Sequence, residues 1–104
     1  MDRREQIERI DGMEERLNES LAAVRALDQA LEDYRNRLED IRALEDYLSG
    51  PEWRTDFEAD EAGLLPPELR RGVLSEDGIP HLLEENDEVR SLLRELAGEP
   101  ERLL

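Results

Sequence analysis

The sequence contains no cysteine, which excludes disulfide bonds and thiolate chemistry and fits a reducing compartment. Aromatic residues are scarce, at 4% of the chain, so aliphatic side chains must supply most of any folded core. No apolar run approaches the roughly 20 residues that a membrane-spanning helix needs. The charged residues after Met1 are unlike the apolar region of a secretory signal peptide. We therefore expect a cytoplasmic protein without a membrane-inserted segment.

Patterns of known catalytic sites are also missing. Neither glycine-rich phosphate-binding loop, G-x-x-x-x-G-K-[ST] or G-x-G-x-x-G, occurs in the chain. His81 is the only histidine, so one chain has no histidine pair for catalysis or metal binding. Ser75 lacks the glycine-rich elbow of a serine nucleophile. We therefore expect no enzymatic activity, no cofactor and no metal ion.

Basic residues are outnumbered two to one. The 29 acidic and 14 basic side chains give a formal net charge of -15, which repels phosphate backbones and anionic lipid. This balance argues against direct binding to nucleic acid or a membrane surface. It permits an alternative function, in which an acidic regulator sequesters a basic protein surface.

What the sequence does contain is a long helical pattern. Apolar residues recur every three or four positions from Ile7 to Leu48, without a proline, which is typical of one amphipathic helix. We expect that helix over about residues 4–48. The second possibility is a pair of helices kinked near residues 18–20, where Asn-Glu-Ser weakens the pattern.

The same stretch also reads as heptads typical of a coiled coil. One seam position holds Ile10, Leu17, Val24, Leu31 and Leu38, and the other holds Met13, Ser20, Leu27, Tyr34 and Ile41. Ser20 is the single polar residue in nearly five heptads. The pattern therefore predicts a coiled-coil-like helix with an apolar seam that packs against another helix.

A short helical segment should follow over about residues 51–72. Gly50 suits a left-handed helix end, and Pro51 suits the first turn of the next helix. Trp53 and Phe57 share one face of that helix, so we expect both to dock against the long helix. Gly63 should end it, and one further helical turn is expected over residues 68–71, closed by a glycine.

The last element is predicted as a helix over about residues 77–97, followed by a tail at 98–104. With Ser75 as the N-cap, Pro80 would fall in the second turn and remove a helical hydrogen bond. With Asp77 as the N-cap, Pro80 takes the third position, where no bond is lost, so Asp77 is preferred. The apolar face consists of Ile79, Leu82, Leu83, Val89, Leu92, Leu93 and Leu96.

Together these elements predict an all-α fold in a single domain, 1–104, with the last helix packing back on the long one as a helical hairpin. A helix of about 20 residues covers only half of a helix twice its length. The uncovered apolar residues usually mark an interface, so we expect a homodimer or another protein partner. The candidate interface residues are Ile7, Ile10, Met13, Leu17, Val24 and Leu31.

The densest acidic cluster resembles the start of a calcium loop, because Asp56, Glu58 and Asp60 alternate. The sixth loop position requires glycine and holds Glu61, and the twelfth requires a bidentate glutamate and holds Pro67. A solvated or salt-bridged acidic face is therefore the preferred interpretation.

Arg70 and Arg71 are compatible with an anion site beside the last helix. They are also compatible with an ion pair to Asp56, Asp60 or Glu61, which we favour. A ligand or divalent-cation site in segment 53–77 stays open as a further alternative function. Its candidate residues are Trp53, Asp56, Phe57, Glu58, Asp60, Glu61, Arg70, Arg71, Ser75 and Asp77.

Four motifs follow one another in this part of the chain: Leu-Glu-Asp-Tyr at 44–47, Trp53, Asp-Phe-Glu-Ala-Asp-Glu at 56–61 and Arg-Gly-Val-Leu-Ser-Glu-Asp at 71–77. In these motifs the chain resembles, over most of its length, a bacterial family of small acidic helical proteins classed as a domain of unknown function. The resemblance implies a bacterial cytosolic setting and no assigned activity. Gly78 and Pro80 depart from it, because better helix formers are expected there, and they leave the start of the last helix open.

Overall fold

A computed structural model describes residues 2–98, and all regular structure in that range is helical. The elements are α1 (Arg3–Arg35), α2 (Leu38–Ser49), α3 (Pro51–Glu61), a 3₁₀ turn (Gly72–Leu74) and α4 (Gly78–Ala97). The predicted all-α class is confirmed. Backbone contacts divide the chain into a first unit, which ends at Leu38, and a second unit, which begins at Glu39. The single domain expected from the length stays a prediction, and most of the predicted tail lies outside the described residues.

α1 is a single helix of 33 residues. It begins where a side-chain oxygen of Asp2 accepts a hydrogen bond from the backbone N–H of Arg4 at 3.3 Å, as a helix N-cap does. It passes through residues 18–20 without a break. There the amide of Asn18 reaches back to Glu14 at 3.5 Å, so its side chain does not compete with the helical backbone bonds.

The predicted continuous helix over 4–48 is wrong in one place, because it is interrupted at Asn36 and Arg37. The N–H of Arg37 bonds to the carbonyl of Tyr34 at 2.9 Å, three residues back. The last turn of α1 is thus tightened, and α2 starts a new helix. Asparagine is a weak helix former, and the packing that holds α2 begins only beyond this point, at Leu44.

The core of the second unit forms where α2, α3, the 3₁₀ turn and α4 meet. Trp53, Leu74 and Ile79 are its buried residues. The partly buried side chains packed around them are Leu44, Tyr47, Leu48, Phe57, Leu65 and Leu83. The expected docking of the α3 aromatics therefore occurs, against the part of the predicted long helix that is α2.

The turns around α3 differ in part from the sequence predictions. Gly50 is extended, with φ -89° and ψ 178°, and it precedes Pro51 at the start of α3; it does not adopt the left-handed conformation. Gly63 adopts the left-handed conformation, with φ 71°. The N–H of Leu64 bonds to the carbonyl of Ala59 at 3.0 Å. That bond is the Schellman closure of a helix end.

The helical turn predicted over residues 68–71 is absent from the described structure. The chain makes a hydrogen-bonded turn from Pro66 to Leu69 instead, and the 3₁₀ turn forms only after it, over Gly72–Leu74. Gly72 therefore opens a helical turn and does not close one. The physical reason is the buried position of Leu74, since burial of its side chain favours the compact turn there.

α4 begins at Gly78, so Pro80 occupies the third helical position, as predicted with Asp77 at the boundary. The capping bond comes from elsewhere, since Asp77 makes no side-chain cap. The hydroxyl of Ser75 accepts a hydrogen bond from the N–H of Gly78 at 3.0 Å. Ile79 and Leu83 join the core, whereas three apolar residues further along α4 stay exposed: Val89, Leu92 and Leu96.

Two glycines give opposite predictions for the same substitution. Gly63→Ala places a side chain at φ 71°, so it lowers the free energy of unfolding by about 1–2 kcal/mol. Gly12→Ala adds a methyl group with nothing within 4 Å inside α1, so it stabilises the helix by about 0.5–1 kcal/mol. Thermal unfolding followed by circular dichroism should show a lower midpoint for the first variant only. Equal effects would contradict the left-handed helix end.

Candidate functional site

The first candidate site is an apolar surface along α1, which has no buried residue. We define the α1 stripe as its large aliphatic side chains, which are between 38% and 64% exposed: Ile7, Ile10, Met13, Leu17, Leu21, Val24, Leu27 and Leu31. All six residues predicted for the interface belong to it. The stripe extends from the first turns of the helix to its last turns.

The α1 stripe contains a local depression of about 290 Å³. Arg9, Ile10, Met13, Glu14 and Leu17 line it. Ile10, Met13 and Leu17 are three successive seam residues, and Glu14 follows Met13 directly. Four residues of this kind form the hole that receives a side chain of a facing helix in a coiled coil. The surface thus has the shape of a helix-binding seam as well as its composition.

Coverage of this stripe is energetically favourable. Burial of a half-exposed aliphatic side chain contributes about 1 kcal/mol. For the eight side chains on each of two helices the gross gain is on the order of 16 kcal/mol, which matches or exceeds the roughly 4–15 kcal/mol that association costs. Most helices in proteins gain their stability from a packed apolar face, whereas α1 has no buried residue.

The second candidate site is segment 53–77 with the end of α2. The hydroxyl of Tyr47 donates a hydrogen bond to a carboxylate oxygen of Asp56 at 2.6 Å. This hydrogen bond, together with burial and the negative charges of Asp56 and Glu52, raises the pKa of Tyr47 to about 12. The pair joins α2 to α3 across the Gly50–Pro51 turn.

Trp53 fastens α3 to the 3₁₀ turn. Its indole N–H donates to the carbonyl of Val73 at 2.8 Å. Its ring stacks on Phe57, with 5.0 Å between ring centroids and 16° between planes. The guanidinium of Arg54 lies 5.8 Å from the Trp53 ring centroid, within reach of a cation–π contact. Trp53 and Phe57 therefore serve as core residues.

The two arginines of the signature have separate environments. Arg71 pairs with Asp60 at 2.6 Å and donates further hydrogen bonds to the carbonyls of Pro66 and Leu69. The predicted ion pair is thus present, with Asp60 as the partner among the acids considered. Arg70 is exposed, whereas the guanidinium of Arg71 is held by a carboxylate and two carbonyl groups.

Ser75 bridges the 3₁₀ turn and α4. Its hydroxyl donates to the carbonyl of Gly72 at 2.8 Å and accepts from the N–H of Gly78. A Cβ at Gly78 would come within 2.5 Å of the Gly72 carbonyl oxygen, so a side chain there requires the backbone to shift. The glycine that departed from the expected helix formers is therefore needed for the close approach of these two elements.

The acidic residues of the segment do not converge. Within residues 2–98 no three histidine or carboxylate side chains gather as metal ligands would. Glu58 and Glu61 are exposed, whereas Asp56 and Asp60 are held by Tyr47 and Arg71. A groove of about 570 Å³ lies beside the segment, with apolar walls and one cation, Arg70. No nucleophile and no general base lies among the residues that line this groove.

Sequence reasoning missed three participants in these contacts: the hydroxyl of Tyr47, the carbonyl of Val73 and the missing side chain of Gly78. A backbone carbonyl carries no signal in the sequence. Tyr47 and Asp56 are nine residues apart across a turn, so their contact depends on the angle between two helices. The one available signal was Gly78 itself, because a glycine at the start of a helix indicates a close backbone approach.

Alkaline pH tests the Tyr47–Asp56 pair. The pKa of Tyr47 is raised in the folded chain to about 12, from about 10 in the unfolded chain. Its stabilising effect is therefore complete below pH 10 and is lost as the pH rises towards 12. We expect Tyr47→Phe to lower the free energy of unfolding near neutral pH by about 1–3 kcal/mol. Urea unfolding should show this difference shrinking between pH 10 and 12; a constant difference would contradict the hydrogen bond.

The fold and these contacts define a small, acidic, all-α protein whose signature residues hold together four short elements, joined to a long helix with an apolar stripe. The chain belongs to the family described as Domain of unknown function (DUF4298), which matches residues 10–96. The resemblance to a family without assigned activity is thereby confirmed. No curated protein and no solved structure matches the chain.

No helix within residues 2–98 is both long enough and apolar enough to cross a membrane.

Proposed function

We propose that this chain is a helix–helix association module and that the α1 stripe is its binding surface. The observation that carries the proposal is a helix of 33 residues with no buried side chain and an apolar stripe along its length. The expected setting is the bacterial cytoplasm, and the expected role is to bind without catalysing a reaction.

The charge distribution supports association through α1. The chain carries a net charge of -15, but α1 contains six arginines and nine acidic residues, a net charge of only -3. Two such helices can approach each other without the repulsion that the whole chain suggests. The acidic excess lies in residues 39–98, which contain 17 acidic residues and six arginines.

Sedimentation equilibrium of the full chain tests the proposal. At high micromolar concentration the mass should rise above the chain mass of 12.1 kDa, because the stripe is then covered by another helix. A mass of one chain at every concentration, together with tolerance of charge at Ile10, Met13 and Leu17, would remove the basis of the proposal.

A second candidate function rests on the acidic excess of residues 39–98. In this alternative the second unit sequesters a basic protein surface, and its affinity comes from charge. A model polycation such as protamine distinguishes the two functions. Binding that weakens steeply between 50 mM and 500 mM salt and persists when the stripe is charged favours the second candidate; no binding at low salt counts against it.

A further inference from the structure

We propose that the partner on the α1 stripe is a second copy of this chain, parallel and in register, so that each seam residue meets its own counterpart. The inference rests on the proposed function, because it names the occupant of the same surface. It is carried by the polar and charged residues in and beside the seam, since apolar residues alone do not select an orientation.

The two orientations give different neighbours along the seam. In a parallel pair in register, Met13 faces Met13 of the second copy. In an antiparallel pair that overlaps the seam from Ile10 to Tyr34 completely, Met13 faces Leu31, and Ile10 faces Tyr34. The two arrangements bury the same apolar residues, so the remaining residues decide between them.

Ser20 is the one polar residue at the seam positions from Ile10 to Leu31. In the parallel pair the two Ser20 hydroxyls face each other and can share a hydrogen bond. In the antiparallel pair each Ser20 lies opposite Val24, and both hydroxyls then lose their hydration to an apolar neighbour. A single polar layer of this kind is a known way to fix the register of a coiled coil.

The charges beside the seam favour the same orientation. Arg9 and Glu14 flank the seam on opposite sides, five residues apart, and both line the depression on α1. In a parallel pair this spacing brings Arg9 of each copy beside Glu14 of the other, which makes two attractive contacts per dimer. Further along α1, two of the equivalent pairs contain an alanine, Ala23 in one and Ala30 in the other, and no pair there joins two like charges.

The antiparallel pair reverses this electrostatic result. With Ile10 opposite Tyr34, Glu14 of each copy comes beside Asp28 of the other, which makes two repulsive contacts. The seam position of Ile10 and Val24 also holds Leu17 and Leu31, so the branching of the apolar residues does not choose an orientation, and the charges do.

Cysteine cross-linking of the full chain tests the orientation, because the protein has no cysteine of its own. A Met13→Cys variant should form a disulfide dimer in glutathione buffer, since residue 13 faces itself in the parallel pair. In the antiparallel pair two such residues would lie about 27 Å apart. Glu15→Cys, on the opposite face of the helix, is the control and should stay uncrosslinked.

The same experiment separates the failure of the orientation from the failure of the proposed function. Cross-linking only between mixed Met13→Cys and Leu31→Cys chains would overturn the parallel orientation and leave helix association intact. A dimer by mass that cross-links in neither combination would overturn the register. A mass of one chain at all concentrations would overturn both proposals.

Charge reversal at Glu14 gives an independent readout with opposite signs. In the parallel pair Glu14→Lys faces Arg9, so the dimer dissociation constant should rise roughly tenfold. In the antiparallel pair the same lysine faces Asp28, and the dissociation constant should fall. Glu15→Lys makes the same change of net charge away from the seam and is the matched control. The double variant Arg9→Glu, Glu14→Lys should recover the original affinity; tighter association of Glu14→Lys alone would contradict the proposal.

Discussion

Trp53→Ala should lower the free energy of unfolding of the second unit by about 3–5 kcal/mol. Trp53 is one of three buried residues in the described part of that unit, so its removal leaves a cavity in a small core. The change also removes the stacking partner of Phe57 and the hydrogen bond to the Val73 carbonyl. A loss of this size is a large part of the free energy of unfolding of a typical domain. We therefore expect the variant to be largely unfolded near 37 °C.

Two matched variants separate the contributions of Trp53. Trp53→Phe keeps an aromatic ring but leaves the Val73 carbonyl without its donor, so it should cost about 1–3 kcal/mol. Leu64→Ala removes a side chain that is 75% exposed and should change stability by less than about 0.5 kcal/mol. Urea unfolding followed by circular dichroism checks this order. A Trp53→Ala variant as stable as Leu64→Ala would contradict the assigned core.

Val24→Glu should abolish self-association at micromolar concentration while leaving the monomer folded. Val24 is 64% exposed in the single chain, so a carboxylate there is hydrated and costs the monomer little. In the dimer two carboxylates would face each other inside an apolar seam, and burial of unpaired charge costs several kcal/mol for each ion. The dissociation constant should therefore rise by more than about a thousandfold.

The control for this variant is Ala22→Glu, which adds the same charge within the same turns of α1 but on the face opposite the seam. It should associate as the unsubstituted chain does. Sedimentation equilibrium of the two variants side by side gives the comparison. Equal masses for both variants at high concentration would show that the α1 stripe is not the binding surface.

The sequence predicted much of the fold because its local signals were strong. The apolar period of α1, Pro51 at the start of α3, Gly63 at its end and Asp77 at the boundary of α4 all act within a few residues. Each depends on backbone geometry that the residue itself imposes. Such features can be predicted without knowledge of what packs against the helix.

The interruption at Asn36 and Arg37 could not be predicted in the same way. The apolar period continues across it, and Asn18 in the middle of α1 is the same residue type without a break. The difference comes from tertiary packing, because α2 is held by its contacts with the core of the second unit while α1 has no buried residue. The helix is therefore interrupted at the weak helix former that adjoins the packed α2, and not at the one inside α1.

Parts of the candidate sites that depend on local sequence were predictable, whereas contacts that depend on the path of the chain were not. The exposed stripe follows from the period and from the shortage of apolar residues to cover it. The partner of Arg71 was narrowed to three acids by proximity in sequence, but the choice of Asp60 depended on the path of residues 64–71. The requirement for Gly78 became clear only when the approach of the Gly72 carbonyl was known.

Hydrogen exchange at two protein concentrations tests most directly whether a second copy covers the α1 stripe. At high micromolar concentration the backbone amides of α1 should be strongly protected, and dilution below the dissociation constant should remove most of that protection. The amides of α3 should keep theirs, because the core around Trp53 lies within one chain. Protection of α1 that is the same at both concentrations would contradict the account.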